Sequence, residues 1–269
     1  MRHHPLRLAG ESSGQHLSRC QRCHFTRKAC NTGEDRSMST LKDAPQRQYS
    51  ETDHDTWRRL IARQLSLVQD YAPQMYWEGF ERLQLDQQRL PVQDQMSERL
   101  FNLVGWRLSN AQAEYLKETD WFIHLRERHF PVTDYIRIPE DIEFTPLPDL
   151  FHEYFGHMAW MTLPRYLTIV DRITRKYLAS SAEDRPLIAN FWWFTTEFGL
   201  IRENGKVRPF GAGLLSSPGE FQYAMAHPEL YKPFTFENAT HGTSKPYAFH
   251  DEYFVIDGFE DLETVTADW

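Results

Sequence analysis

From residue 57 onward the apolar positions follow a helical period, and before residue 48 they follow none. Trp57, Leu60, Ile61, Leu65 and Val68 recur at the three- and four-residue spacing that lines one face of a helix. Asp55, just ahead of them, is a candidate cap for the open N–H groups of the first turn. The same reading predicts helices over 93–104 and 119–129, extended chain over 130–137, and a rigid approach over 145–149, where Pro146 and Pro148 exclude helix. Asp149 is then expected to cap a helix that runs to about Met161 and stops before Pro164. Further helices are expected at about 165–180 and 185–201. Strand and turn are expected over 207–217, which contains Gly211 and Gly213, and a short closing strand at Tyr253–Ile256. Ser217-Pro218-Gly219-Glu220 carries the capping-box pattern of one more helix. The predicted fold class is mostly α with a few short β-strands (α+β), in a single domain over 49–269.

Composition adjusts this picture at the N-terminal end. Residues 1–37 hold seven Lys+Arg against three Asp+Glu, whereas the whole chain of 269 residues carries −8. A basic segment without apolar period cannot bury enough surface to offset its ordering entropy, so 1–48 is expected to be disordered. The abrupt change of composition points to Met38 as the true start. The mild overall negative charge argues against a nucleic-acid or anionic-membrane partner, and no run approaches the length of a membrane span. With no apolar signal core and all three cysteines within the first 30 residues, a cytoplasmic protein is expected, and a monomer is the expected state. Aromatic residues are 14% of the chain, with 8 Trp, 18 Phe and 12 Tyr, which suits a pocket for flat apolar groups.

Two groups have metal-ligand spacing. Cys20-Gln-Arg-Cys23-His24 has the form of a c-type haem attachment, or of a zinc site completed by Cys30. Without an export signal or a packed scaffold around it, this pattern is expected to bind nothing. The second group is His152-Glu153-Tyr-Phe-Gly156-His157. On a regular helix, residues five apart diverge by about 140°, so a shared metal needs irregular backbone near Gly156 or an ion at the helix edge. Spacing alone leaves two readings open: a metal pair, or two partly buried histidines bonded to backbone or carboxylates. A third ligand is available in Glu197, the one carboxylate in the apolar run Phe191-Trp-Trp-Phe-Thr-Thr-Glu-Phe-Gly-Leu200. Unpaired, it would be costly to bury; the alternative is a salt bridge to an arginine. Two His and one carboxylate form the facial triad of non-haem iron oxygenases, whereas a zinc hydrolase would use Glu153 as its base.

The ordered motifs Pro148-Asp149-x-x-His152-Glu153-x-x-Gly156-His157, Trp193-Phe-Thr-Thr-Glu197-Phe198-Gly-Leu200 and Gly211-Ala-Gly213-Leu-Leu-Ser216-Ser217 resemble those of the pterin-dependent aromatic amino acid hydroxylases, most of all the compact bacterial phenylalanine 4-hydroxylases. Thr56-Trp57-Arg58, Gly105-Trp106-Arg107, Phe130-Pro131-Val132 and Tyr253–Asp257 fit the bacterial pattern, and the resemblance runs from about Tyr49 to the end. It implies a single hydroxylase-like catalytic domain that holds Fe(II) on His152, His157 and Glu197. It further implies a tetrahydrobiopterin, or a related reduced pterin, as the source of two electrons. An aromatic amino acid, phenylalanine first, and O2 would be the substrates.

By the same resemblance Arg137 would clamp the substrate carboxylate, with Thr145 and Ser216 beside the amino acid and Pro148, Trp193 and Phe198 around its ring. Glu153 and Trp121 would face the pterin. The family usually carries Val-Pro-Gly-Leu or Val-Ala-Gly-Leu where this chain has Leu108–Leu116 without Gly or Pro, and Tyr where it has Trp192. A residue-Pro pair is likewise usual where Met158-Ala159 stand. These departures imply a remodelled pterin pocket. The alternatives are the same chemistry on another aromatic amino acid or ring position, a member with altered or lost pterin use, and the zinc hydrolase.

Overall fold

The computed structural model describes residues 47–111, 116–142 and 147–269, and these form one compact unit. The basic tail with its cysteine pattern, the Met38 start, residues 112–115 of the remodelled segment and Thr145 all lie outside the described residues.

Helix α1 spans Glu51–Val68 and starts earlier than the apolar period suggests. Its cap is Ser50, not Asp55: the Ser50 hydroxyl accepts from the Asp53 N–H while the Asp53 carboxylate accepts from the Ser50 N–H. Asp55 sits one turn in and pairs with Arg58 at 3.0 Å. The polar first turn conceals the helix because only its second turn reaches the core. Trp57, Leu60, Ile61 and Val68 are buried as expected, with Leu65 packed at the edge. Helices α2 (Gln74–Leu83), α3 (Gln93–Val104) and α4 (Glu118–Arg126) follow. The last is shorter than expected because Arg128 takes a positive φ of 57° and turns the chain into a strand.

That strand, β2 (His129–Val132), pairs in parallel with β1 (Arg107–Asn110), Leu108 opposite Phe130. The start of the segment expected to be a pterin loop is therefore strand. Helices α5 (Met158–Met161), α6 (Pro164–Ala179) and α7 (Arg185–Trp192) come next. Pro164 starts α6 at the position where a missing N–H costs nothing. Strands β3 (Leu200–Glu203) and β4 (Lys206–Pro209) form an antiparallel pair. They extend through β6 (Tyr253–Ile256) to β5 (Tyr231–Pro233) in the order β4-β3-β6-β5. Part of the expected strand-and-turn over 207–217 is instead the short helix α8 (Ala212–Ser216), followed by α9 (Pro218–Ala226) with Ser217 as its cap. Helices α10 (Phe236–His241) and α11 (Phe259–Val265) complete the unit. No described helix is long and apolar enough to cross a membrane.

Two described stretches open to π geometry, and both carry site residues. His152–His157 and Trp193–Glu197 are π-helical. Such bulges close i→i+5 bonds and bring residues five apart onto one face. The rest of the sequence accommodates them. The Tyr76 hydroxyl donates to the Phe155 carbonyl at 2.8 Å. The Thr195 and Thr196 hydroxyls donate back to the carbonyls of Phe191 and Trp192 at 2.7 and 2.8 Å, a pattern that loosens a helix at that turn.

Candidate functional site

The π-turn resolves the five-residue spacing. His152 Nε2 and His157 Nε2 lie 3.0 Å apart, and Glu197, at the end of the second π-turn, meets them at 3.6 and 3.2 Å. Asp149 caps this stretch as expected, its carboxylate accepting from the His152 N–H at 3.1 Å. At Gly156 a Cβ would stand 2.7 Å from the Ala212 carbonyl oxygen, so only glycine lets the histidine segment pack this closely on α8.

Hydrogen bonds fix the orientation of His152 and Glu197, two of the three donors. The Ser216 hydroxyl donates to the Ala212 carbonyl at 2.7 Å and therefore accepts from His152 Nδ1 at 2.9 Å. The His152 proton is thus on Nδ1, and Nε2 offers its lone pair inward. The Trp192 indole N–H donates to Glu197 Oε1 at 2.9 Å. Burial, then the neighbouring His157, pushes His152 down to about 4. Burial acts to raise Glu197, but His157, His152 and the Trp192 bond outweigh it and hold the carboxyl at about 2. Near neutral pH, then, a neutral imidazole and an ionised carboxylate converge on one point. Three ligand atoms all within 4.8 Å of one another fit a divalent metal, since bonds of about 2.1 Å at right angles put neighbouring donors roughly 3.0 Å apart. A cation also relieves the two imidazole nitrogens that otherwise face each other. Ser216→Ala and Trp192→Phe are each expected to weaken metal binding about 10- to 100-fold, read by competition with a chelator.

The triad opens into a cavity of about 570 Å³. Trp121, Arg137, Pro148, Glu153, Trp192, Trp193, Phe198 and Ser216 all line it, so every site residue expected from sequence and lying among the described residues is in one place. Ala111 and Leu116, which flank 112–115, line it too. Trp193 and Phe198 form one aromatic wall, ring centroids 4.8 Å apart. Trp121 meets Trp192 edge-on at 4.7 Å on another. A Cβ at Gly213 would stand 2.6 Å from the Phe198 ring, so this glycine lets the ring lie flat on α8.

Arg137 is nearly buried and already paired. Its Nε and Nη2 donate to the two Asp149 oxygens at 2.8 and 2.9 Å, and its backbone N–H donates to Oδ2 at 2.9 Å. A ligand carboxylate therefore does not find the Nε–Nη2 edge free; Nη1 lies outside the pair. Asp149, read from sequence only as a cap, thus has a second duty that local pattern does not signal. Burial, then the charges of Glu197 and Asp149, raises Glu153 well above the carboxylate range and favours the neutral acid.

Comparison with known proteins settles the class of chemistry. The biopterin-dependent aromatic amino acid hydroxylase family matches residues 15–269, starting upstream of Tyr49, where the sequence motifs begin. The chain belongs to this family. Phenylalanine-4-hydroxylase of Pseudomonas aeruginosa is 35% identical over 211 residues, covering 77% of this chain and 79% of that protein. Tyrosine 3-monooxygenase of Drosophila melanogaster is 31% identical over 225 residues, covering 82% of this chain but 39% of that protein. The crystal structure of phenylalanine hydroxylase from Chromobacterium violaceum with bound iron(III) and oxidised cofactor 7,8-dihydrobiopterin is similar at a TM-score of 0.77 and 31% identity. It covers 81% of this chain and 80% of its own. Membership in a hydroxylase family of mostly helical catalytic domains sets aside the zinc-hydrolase alternative. The relatives act on different aromatic amino acids by name, so substrate choice within the family rests on the cavity.

Proposed function

We propose that this hydroxylase converts phenylalanine to tyrosine in the cytoplasm, with Fe(II) held by His152, His157 and Glu197 and with a tetrahydropterin as reductant. The observation that carries the reading is the opening of the oriented two-His, one-carboxylate triad into a cavity walled by Trp193 and Phe198, with a guanidinium lining the same space. Bound there, iron and a reduced pterin supply the activation of O2 for insertion of one oxygen atom into the ring.

The chain's own residues bind and orient. Trp193, Phe198 and Pro148 hold the substrate ring by apolar contact. Arg137, kept in place by Asp149, offers Nη1 to the amino acid carboxylate. Glu153, favoured as the neutral acid, can donate a hydrogen bond to a pterin heteroatom, and Trp121 covers the flat pterin ring. Trp192 and Ser216 orient the metal ligands. The bacterial phenylalanine-4-hydroxylase relatives support phenylalanine as the substrate.

The test is anaerobic reconstitution with Fe(II), followed by a panel of aromatic amino acids and tetrahydropterins analysed by mass spectrometry. Phenylalanine is expected to gain one oxygen at the para position with matching dihydropterin formation. Phenethylamine, which lacks the carboxylate, is expected to turn over at least about tenfold less efficiently, the cost of one charged hydrogen bond. Equal turnover of the two would remove Arg137 from its role, and preference for another amino acid would overturn the substrate assignment.

A further inference from the structure

Behind the aromatic wall lies a histidine that takes no part in the metal triad. His250 is 0% exposed, and its imidazole joins three separate pieces of chain. Nε2 accepts from the Trp193 indole N–H at 2.8 Å and from the Lys245 backbone N–H at 3.3 Å. Both of those groups can only donate, so Nε2 carries no proton and the hydrogen is on Nδ1. Nδ1 then donates to Glu220 Oε1, which also accepts from the His250 N–H at 3.2 Å and the Tyr253 hydroxyl at 3.1 Å. The same imidazole packs on Phe198, ring centroids 4.4 Å apart and tilted by 39°. Trp193 and Phe198 line the cavity on their other side, and Lys245 and Ala248 line it nearby.

We propose that His250, anchored by Glu220, is a positioning residue that pins the Trp193 indole against the cavity and so sets the ring size the site accepts. This rests on the hydroxylase reading above for its substrate, but its geometry does not involve the metal. A tryptophan side chain on a cavity wall has two torsions to choose from. Van der Waals contact with Phe198 alone does not select an in-plane orientation, whereas a hydrogen bond to a fixed acceptor does. His250 is fixed in turn by its backbone and side-chain bonds to one carboxylate oxygen, and by Lys245 on the neighbouring loop. A pinned Trp193 resists displacement, so a fused indole substrate that presses on this wall works against the tie. Apolar pockets discriminate weakly unless their walls resist displacement, and this tie supplies the resistance.

The variant to make is His250→Phe, which keeps a ring against Phe198 and removes the acceptor, with His250→Gln as the conservative control, since an amide can both accept and donate. Trp193 is observed directly by 19F NMR of protein carrying 5-fluorotryptophan, its resonance assigned with Trp193→Phe. In His250→Phe the resonance is expected to shift and broaden. The KM for phenylalanine should rise about fivefold, as for one neutral hydrogen bond, with kcat less affected, and the preference for phenylalanine over tryptophan should fall. His250→Gln should restore all three. On a Trp193→Phe background, His250→Phe should add no further change, because the two residues act as one unit.

An unchanged Trp193 resonance, or fully additive effects in the double variant, overturns the proposal. In the wild-type protein the Trp193 indole proton must be protected from solvent exchange; rapid exchange overturns the proposal without any variant having to fold. Failure of the wild-type enzyme to bind or hydroxylate any aromatic amino acid would overturn the functional reading instead, and the resonance and exchange measurements would still decide the positioning role.

Discussion

Glu197→Ala is expected to eliminate stoichiometric iron binding. The carboxylate is the only anionic donor of the triad, and loss of a direct ligand should exceed the roughly 100-fold cost of losing an orienting partner. The measurement is iron content after anaerobic loading and exhaustive dialysis, with the melting temperature followed in parallel. In the wild-type protein Fe(II) is expected to raise the melting temperature, because a ligand that binds only the folded state stabilises it by mass action. In Glu197→Ala that increment should vanish while the metal-free protein still folds: the variant removes a buried charge and leaves two imidazoles. Full iron occupancy in Glu197→Ala would sink the assignment, and His152→Ala and His157→Ala are expected to behave as Glu197→Ala does.

The second large effect is expected at Asp149. Its side chain is fully buried, pairs bidentately with the nearly buried Arg137, and caps the histidine-bearing turn through the His152 N–H. Asp149→Ala removes all of this and leaves a guanidinium buried without its partner. Breaking such a pair costs about 3–5 kcal/mol, a large part of the stability of a typical domain. The fall should appear as an earlier midpoint in chemical denaturation. The pair also makes stability depend on acid. Burial opposes ionisation of Asp149, but the Arg137 charge and its hydrogen bonds win, so the folded carboxyl lies below its ordinary value. Its contribution is complete above the unfolded-state value of about 3.9 and is lost as pH falls through the lower folded value. Wild-type protein should therefore lose more stability on acidification through that window than Asp149→Asn, which has no carboxyl to titrate. Identical acid profiles would show that the pair adds nothing.

Much of the site was legible because its chemistry is written in residue types and short spacings. A lone carboxylate in an apolar helix, two histidines after a Pro-Asp cap and a Gly-rich stretch before Ser216 each carry a local cost or preference that a metal or a close approach explains. Local rules also located α3 at Gln93–Val104, the Ser217 cap and the closing strand Tyr253–Ile256. They failed where a polar turn hides a cap, as at Ser50, and where one residue leaves the expected backbone region, as at Arg128. His250 gave no signal at all: a histidine after a turn reads as surface, and its burial comes from Glu220, 30 residues earlier, and Trp193, 57 earlier.

The amino-acid order by itself determined which side chains could serve as metal ligands, where longer helices such as α1, α3 and α6 would form, and which face of α1 would be buried, because periodicity, capping and proline sterics act over a few residues. Only the tertiary structure decided that five-residue spacing becomes a π-turn rather than a divergence, since the Tyr76 hydroxyl, 79 residues earlier, supplies a hydrogen bond to the Phe155 carbonyl there. It also decided that Arg137 is held by Asp149 and that Trp192 turns its N–H onto Glu197. These are pairings of groups that could equally have met water in the unfolded chain. Which partner each one finds depends on the packing that excludes water from both, and that packing involves the whole domain at once.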